Sequence, residues 1–325
     1  MFIFIGVYPI LMISLLKQLL MKNTYLVFIL CSFFFEVNAQ IPEGKSVISS
    51  LYVYDLSTGQ SKLVTRELRH FEAPNWSRDG QYFLINAYGK LEKMSMTGDR
   101  MGYLNTGSVQ DCNNDHGFSF DGKQLFISSG KPNIKEHSSF IYKVAATGGE
   151  PVQLTPNTPS YWHGVSPDSK TMVYCAARNG NYDVYAMSTD GGEEKRLTTS
   201  EGFDDGPEYS PDGKHIYINS FRTGHMQIWR MAPDGSNPEQ MTFDEKSNWF
   251  AHISPNNKVA TMISYDEDQV QAHPFGKQVR IRLLDLQTKK IKDLTGPFYG
   301  GQGTINVPSW NPEGTKFAYV KYELF

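Results

Sequence analysis

One short phrase recurs six times along the chain: an apolar residue, Ser or Asn, a variable residue or Pro, an acid or Asn, then usually Gly. The copies are Trp76-Ser77-Arg78-Asp79-Gly80, Phe118-Ser119-Phe120-Asp121-Gly122, Val165-Ser166-Pro167-Asp168-Ser169, Tyr209-Ser210-Pro211-Asp212-Gly213, Ile253-Ser254-Pro255-Asn256-Asn257 and Trp310-Asn311-Pro312-Glu313-Gly314. The first five stand 42 to 47 residues apart, and the last gap is longer. A period of that length is the mark of a repeat architecture and limits the fold before any local propensity is weighed.

Each phrase is followed by alternating apolar residues, as in Leu125-Phe126-Ile127 and Ile216-Tyr217-Ile218, which reads as a strand. A polar loop leads to a second such run, for example Tyr182-Asp183-Val184-Tyr185-Ala186-Met187. A Gly-bearing turn follows (Asp190-Gly191-Gly192, Asp234-Gly235), then a short last strand ending in Leu-Thr or Met-Thr at 154–155, 197–198, 241–242 and 294–295. With the strand ahead of the phrase, each unit has four strands, which is the content of one propeller blade. The expected fold is all-β: a six-bladed β-propeller. The sixth unit is cut short at Phe325. Residues 51–56, the turn at 57–59 and residues 62–65 match the missing third and fourth strands, so N-terminal strands should complete the last blade. Closing the ring removes the free sheet edges that invite aggregation.

Residues 1–39 read as a signal-peptide region. Met21-Lys22-Asn23 and the apolar run Tyr25 to Phe35 precede Val37-Asn38-Ala39, a cleavage-type sequence, and Met21 is a candidate true start. Residues 40–325 then form one propeller domain, expected to be a periplasmic or secreted monomer with no membrane span after cleavage. The formal net charge of −3 and the absence of a basic block argue against nucleic acid as a partner. Cys112 and Cys175 fall in different units and read as buried free thiols.

The Ser-Pro-Asp-Gly-like turns, the Tyr182–Met187 strand and the Asp-Gly-Gly turn ahead of Arg196-Leu197-Thr198 resemble the TolB-type (PD40, WD40-like) propeller repeats over residues 45–325. That resemblance implies the fold and says little about chemistry. The same repeats occur in oligogalacturonate lyases, metal-dependent enzymes that cleave uronic-acid oligosaccharides by β-elimination. They also occur in prolyl-oligopeptidase-type propellers, whose chemistry needs a hydrolase domain with a Gly-x-Ser-x-Gly elbow that this sequence lacks.

Strand direction assigns the loops to faces. Inner strands start at one face, here the top, and descend to the phrase turns at the bottom. His70, His116, His137, His163, His225, His252 and His273 then fall in the top half, and only His215 lies near the bottom. His116 and His163 stand where other units carry Pro74, Pro207 and Pro308, and are the candidate catalytic acid–base groups. Asp115, Asp205 and Glu208 lie nearby in this register. Unit five departs most from the repeat, through the loop Asp266–Lys277 and the Gly-rich segment Gly300–Asn306. His252, Gln271 and His273 at that corner are candidate ligands for a divalent metal such as Mn or Ca. The resemblance to oligogalacturonate lyases implies a Gln-and-His metal site that Gln271-x-His273 matches in part. Asp205, Gln302, Arg178 and Arg222 are candidate ligand-binding groups, the arginines for carboxylates. Aromatics at the same positions, such as Trp162 and Trp249, serve either stacking on sugars or packing between blades.

Two functions fit. One is an exported propeller that binds a ligand, an oligosaccharide or an envelope protein at the top of its channel without turnover. The other is a metal-assisted lyase or hydrolase of acidic oligosaccharides, in which the metal neutralises a uronate carboxylate and a His removes the acidified proton.

Overall fold

The computed structural model describes residues 41–131, 134 and 138–325. The proposed signal segment and His137 lie outside the described residues. Among those described there is no α-helix. They form six antiparallel sheets, one per blade of a six-bladed β-propeller.

Blade one comprises Glu72–Trp76, Tyr82–Ala87, Lys90–Ser95 and Arg100–Tyr103, ordered consecutively from the channel outwards. Blades two to five repeat this from inner strands Cys112–Phe118, Ser160–Val165, Asp204–Tyr209 and Ser247–Ile253. Blade six is closed as the sequence implies. Val47–Asp55 lies between Gln60–Glu67 and the C-terminal strand Lys316–Leu324, pairing with the latter from Val47↔Leu324 to Asp55↔Lys316. Its innermost position is taken by an irregular segment, held by Val320 N–H donating to the Thr304 carbonyl (2.9 Å), Ala318 N–H to Ser309 (3.0 Å) and a bridge between Trp310 and Phe317.

The recurring motifs have local physical reasons. In each Ser-x-Asp turn the Ser hydroxyl donates to the acid (Ser77 to Asp79 Oδ1, 2.7 Å; Ser210 to Asp212 Oδ1, 2.7 Å) and accepts the amide that starts the next strand (Tyr82, 3.0 Å; His215, 3.0 Å). The fifth position has positive φ in all six copies, filled by Gly80, Gly122, Gly213 and Gly314 and by Ser169 and Asn257. The Leu-Thr and Met-Thr endings serve fourth strands only two or three residues long. There the Thr hydroxyl accepts a third-strand amide that the short strand leaves unpaired: Ile141 to Thr155, Val184 to Thr198, Ile228 to Thr242 and Ile281 to Thr295, all 2.9–3.0 Å.

Two features shape the channel. The five regular inner strands each slip register near their middle, between Glu72 and Asn75, Cys112 and His116, Trp162 and Gly164, Asp205 and Glu208, and Trp249 and His252. Such bulges re-aim the side chains around them. Blade five also gains a fifth strand, Phe298–Gly300, paired with the start of Lys277–Asp285. Between the blades lies a core of fully buried aromatics, Trp162, Trp249, Tyr174 and Phe317 among them. Cys112 and Cys175 are free and buried.

Candidate functional site

The sequence placed its candidates at the top of the channel, and there the inner strands assemble one buried polar chamber. Asp205 is its centre. Its Oδ1 lies 3.0 Å from His163 Nε2 and accepts the Gly206 amide at 2.6 Å, while Oδ2 stands 3.7 Å from His273 Nε2. Three segments that are far apart in sequence thus meet at one carboxylate, whose side chain is 7% exposed. Burial by itself would raise the Asp205 pKa; the His163 charge outweighs it and holds the carboxyl down at about 2. Burial opposes protonation of His163 too, but Asp205 beside it raises its pKa above the ordinary value. His273 meets the opposite balance: burial pushes it down to about 4 despite Asp205.

The chamber continues round the axis. Burial pushes Asp115 up to about 7, and burial reinforced by the Asp115 charge pushes Glu72 up to about 8. Glu72 Oε2 is 4.0 Å from His70 Nε2, a ring that burial holds neutral down to about pH 4 and that stacks on Tyr322. Gly303, with φ of +87°, has space for no side chain: a Cβ would stand 2.5 Å from both Glu72 Oε2 and Tyr322 Oη. Its amide donates to Asn306 Oδ1 at 2.6 Å. Glu72 Oε2, Tyr322 Oη and Asn306 Nδ2 are buried polar atoms with no hydrogen-bond partner among the described residues, and the side-chain amide of Asn114 lies against the Glu72 carboxyl. Glu72, Asn114, Asn306 and Tyr322 were not singled out by sequence reasoning. The first three stand five residues ahead of the Ser or Asn of their phrases, a column that comparing the units side by side would have exposed.

The long loop of unit five lies across this chamber as a crossbar. Gln271 Oε1 accepts the Phe203 amide at 2.7 Å, reaching blade four. The His273 ring packs against Trp249 and Phe250, and Phe275 reaches His70 and Tyr322. The Pro274 carbonyl accepts from the Tyr265 hydroxyl (3.0 Å) and the Gln302 amide (3.3 Å). A side chain at Gly301 would collide with that carbonyl, which explains the glycine-rich partner segment.

The other expected residues lie elsewhere. His116 is fully buried, its Nε2 3.3 Å from the Leu84 carbonyl of blade one, and burial lowers its pKa to about 4; it packs between blades and does not face the channel's polar cluster. His252 has both ring nitrogens engaged, Nδ1 with Glu208 Oε2 (2.6 Å) and Nε2 with the Ile305 carbonyl (2.7 Å), and so ties blades four, five and six together. Arg178 is held by Glu194 (2.6 Å) and the Pro159 carbonyl (2.8 Å), and Arg222 by Asp204 (3.3 Å) and Ser220 (2.7 Å). Each arginine is committed within its own blade. His225 stands 3.5 Å from Asp268, linking two top loops.

A divalent metal does not fit the donors present. Among the described residues no three His, Cys, Asp or Glu side chains are placed to hold one ion. His252 has no free nitrogen, and the Gln271 oxygen is taken by a backbone amide. The expected His252, Gln271 and His273 set therefore has different partners for each member and not a common centre.

Comparison with known proteins agrees with the architecture. An uncharacterized protein of Agrobacterium fabrum is 45% identical over 280 residues, covering 86% of this chain and 94% of its own. A solved Agrobacterium tumefaciens structure, provisionally assigned as TolB, is 44% identical, covers 86% of this chain and 99% of its own, and superposes with a TM-score of 0.80. An oligogalacturonate lyase solved in complex with manganese is much farther off, at 12% identity and a TM-score of 0.49, covering 82% of this chain and 70% of its own. The family model described as the TolB beta propeller domain matches residues 157–323. The chain belongs to the TolB beta propeller domain family.

Proposed function

We propose that this chain is an exported, monomeric, non-catalytic binding propeller whose chamber beneath the crossbar takes a small polyhydroxylated ligand, a sugar or the end of an oligosaccharide. The observation that carries this reading is the set of incompletely satisfied buried polar groups: Asn306 Nδ2 and Tyr322 Oη have no protein partner among the described residues, and Glu72 has the Asn114 side chain beside it but leaves Oε2 unmatched. Buried donors and acceptors are costly when unmatched, so a group of them in one chamber is a lining for a hydrogen-bonding guest. Donors and acceptors are mixed there, as hydroxyl groups require. The Asp205 carboxylate with His163 and His273 forms the chamber's charged wall, and Gln302 lies under the crossbar beside it. Export rests on the character of residues 1–39 and places the protein in the periplasm or outside the cell.

Binding is favoured over catalysis by the state of the imidazoles. His163 and His273 both present Nε2 to Asp205, His116 is packed between blades, and His252 is bonded at both nitrogens. A general base needs a nitrogen free to meet substrate: His252 has none, and the free Nδ1 atoms of His116 and His273 belong to buried rings whose pKa burial holds down at about 4, so neither is poised to take a proton near neutral pH. The deciding experiment is thermal melting of the mature chain with neutral and uronic-acid oligosaccharides. A saturating neutral sugar should stabilise the wild type by about 2–4 kcal/mol through binding linkage, and Glu72→Gln should lose most of that rise. If no sugar raises the melting temperature the reading fails. If uronic-acid oligosaccharides yield unsaturated products, the lyase reading replaces it.

A further inference from the structure

The opposite end of the channel carries a second site, made by a departure from the repeat. The third residue of the phrase forms a ring around the bottom mouth: Pro167, Pro211, Pro255 and Pro312 in four blades, Phe120 in blade two and Arg78 in blade one. Inside this ring is a cavity of about 290 Å³ bordered by residues of all six blades. Its walls are mostly apolar and aromatic, with Trp76, Trp162 and Trp310 among them.

Arg78 is the cation of this mouth. Its guanidinium lies over the Phe120 ring, 4.9 Å from the centroid, and makes only two long hydrogen bonds, Nε to the Ser119 carbonyl (3.3 Å) and Nη2 to Phe118 (3.5 Å). No carboxylate among the described residues stands within ion-pair distance of it. Most of the chain's other arginines are paired with acids. The residue is exposed, yet the surrounding walls desolvate it enough to lower its pKa. Both facts describe a charge standing in a narrow, open mouth whose walls partly exclude water. Glu208 lies across the cavity and its charge acts on Arg78 through space, but its two oxygens are already bonded, to His252 and to the Ile253 amide (2.9 Å), and it makes no ion pair with the arginine.

We propose that this mouth binds an organic monocarboxylate with a flat apolar body, the carboxylate on Arg78 and the body among the tryptophans and the proline ring. A guanidinium offers a planar fork that matches a carboxylate, and its exposed edge has no competing acid. Binding pockets of this size are mainly apolar with few placed polar groups, which is the composition found here. The aromatic walls give a flat ring both contact area and favourable ring geometry. The Arg78 cation and the carboxylate neutralise each other in a place where water is already partly excluded, so the pair is stronger than at an open surface.

Tryptophan fluorescence supplies the test, because Trp76, Trp162 and Trp310 line the cavity. The full chain is titrated with phenylacetate, with its neutral isostere phenylacetamide, and with acetate and sulfate. Phenylacetate should give a saturable change, and phenylacetamide should bind about tenfold or more weakly. Arg78→Gln should lose phenylacetate binding to a similar degree, and Arg78→Lys should recover part of it; circular dichroism confirms that both variants are folded. Equal responses to phenylacetate and phenylacetamide, an unaltered Arg78→Gln variant, or no saturable change would overturn the proposal. Acetate or sulfate matching phenylacetate would also overturn it, since the site would then hold an adventitious ion only.

Discussion

The two ends of one channel are built on opposite plans. At the top, ionisable groups from several blades are buried and answered mainly by one another, around Asp205, and the chain's own loop lies across them. At the bottom, apolar rings and prolines enclose an open cavity, and its one arginine has no acid partner among the described residues. The same five inner strands and the irregular inner segment of blade six supply both ends. The difference comes from where each departs from the repeat: an inserted loop and inner-strand substitutions above, a single Pro-to-Arg position below. Interactions satisfied within the protein contribute to its stability, and groups left unanswered are available to a ligand. The top holds both kinds, and at the bottom the arginine is of the second.

This contrast exists only while the ring is closed, so the largest effect comes from opening it. Removing residues 41–67 takes away Val47–Asp55 and Gln60–Glu67, and with them the nine-residue pairing to Lys316–Leu324. Two buried faces and an unpaired edge would be exposed. The truncated chain should lose its cooperative melting transition or fail to remain soluble. A truncation that melts like the full chain would show that both mouths are held without this closure.

The fold was almost fully legible in the sequence, because each blade is fixed by local signals: the Ser-x-Asp turn, the period-two strands, the Gly turn and the Thr that ends the unit. The closing strands were legible for the same reason, as Leu51–Leu56 and Lys62–Thr65 repeat a pattern lacking at the C-terminus. The site was legible in part. The register put His163, Asp205 and His273 at one end, where they meet around the Asp205 carboxylate, but could not say which atoms meet. That depends on the bulges and on how the 266–277 loop folds over blades four, six and one, which are tertiary choices with no local signature. His116 misled because a histidine at the same repeat position as His163 looks like a channel residue in register, whereas its ring turns between blades to the Leu84 carbonyl. Arg78 stood in plain view in the first copy of the phrase. Its meaning needed the ring geometry that brings third positions together around the bottom mouth.

A second, smaller effect sharpens the view that the charges around Asp205 answer one another. Asp205→Asn removes the charge shared by His163 and His273 and should destabilise the protein by about 2–4 kcal/mol near pH 6. The cost should shrink as pH rises. His163 has a folded pKa raised above its unfolded value, so its contribution is full below the unfolded pKa and is lost as pH climbs through the folded one. Asp205, held down at about 2, contributes above its unfolded pKa and fails only in strong acid. Glu72 and Asp115 add a slope of the same sign: their folded pKa values of about 8 and about 7 mean that ionising them with rising pH destabilises the fold. Denaturant melts from pH 5.5 to 8.5 measure this. A variant deficit that is constant with pH would mean that His163 is neutral like His273, and the charged wall would have to be redrawn.

The smallest expected effect is the sharpest test of the bottom. Arg78→Gln removes a charge that has no ion-pair partner among the described residues, two long hydrogen bonds and a cation–π contact with Phe120. The charge was partly desolvated without return, so its loss offsets what the contacts contributed. Stability should change by no more than about 0.5 kcal/mol in either direction, the range of an ordinary exposed substitution. Glutamine keeps much of the side chain's length and can still donate to the Ser119 carbonyl. The measurement is the urea midpoint, with its slope compared so that a change in the unfolded state is not mistaken for one in the fold. A loss above about 2 kcal/mol would make Arg78 a structural clamp between blades one and two. The two ends would then differ only in polarity, because the arginine's interactions would serve the fold and not a ligand.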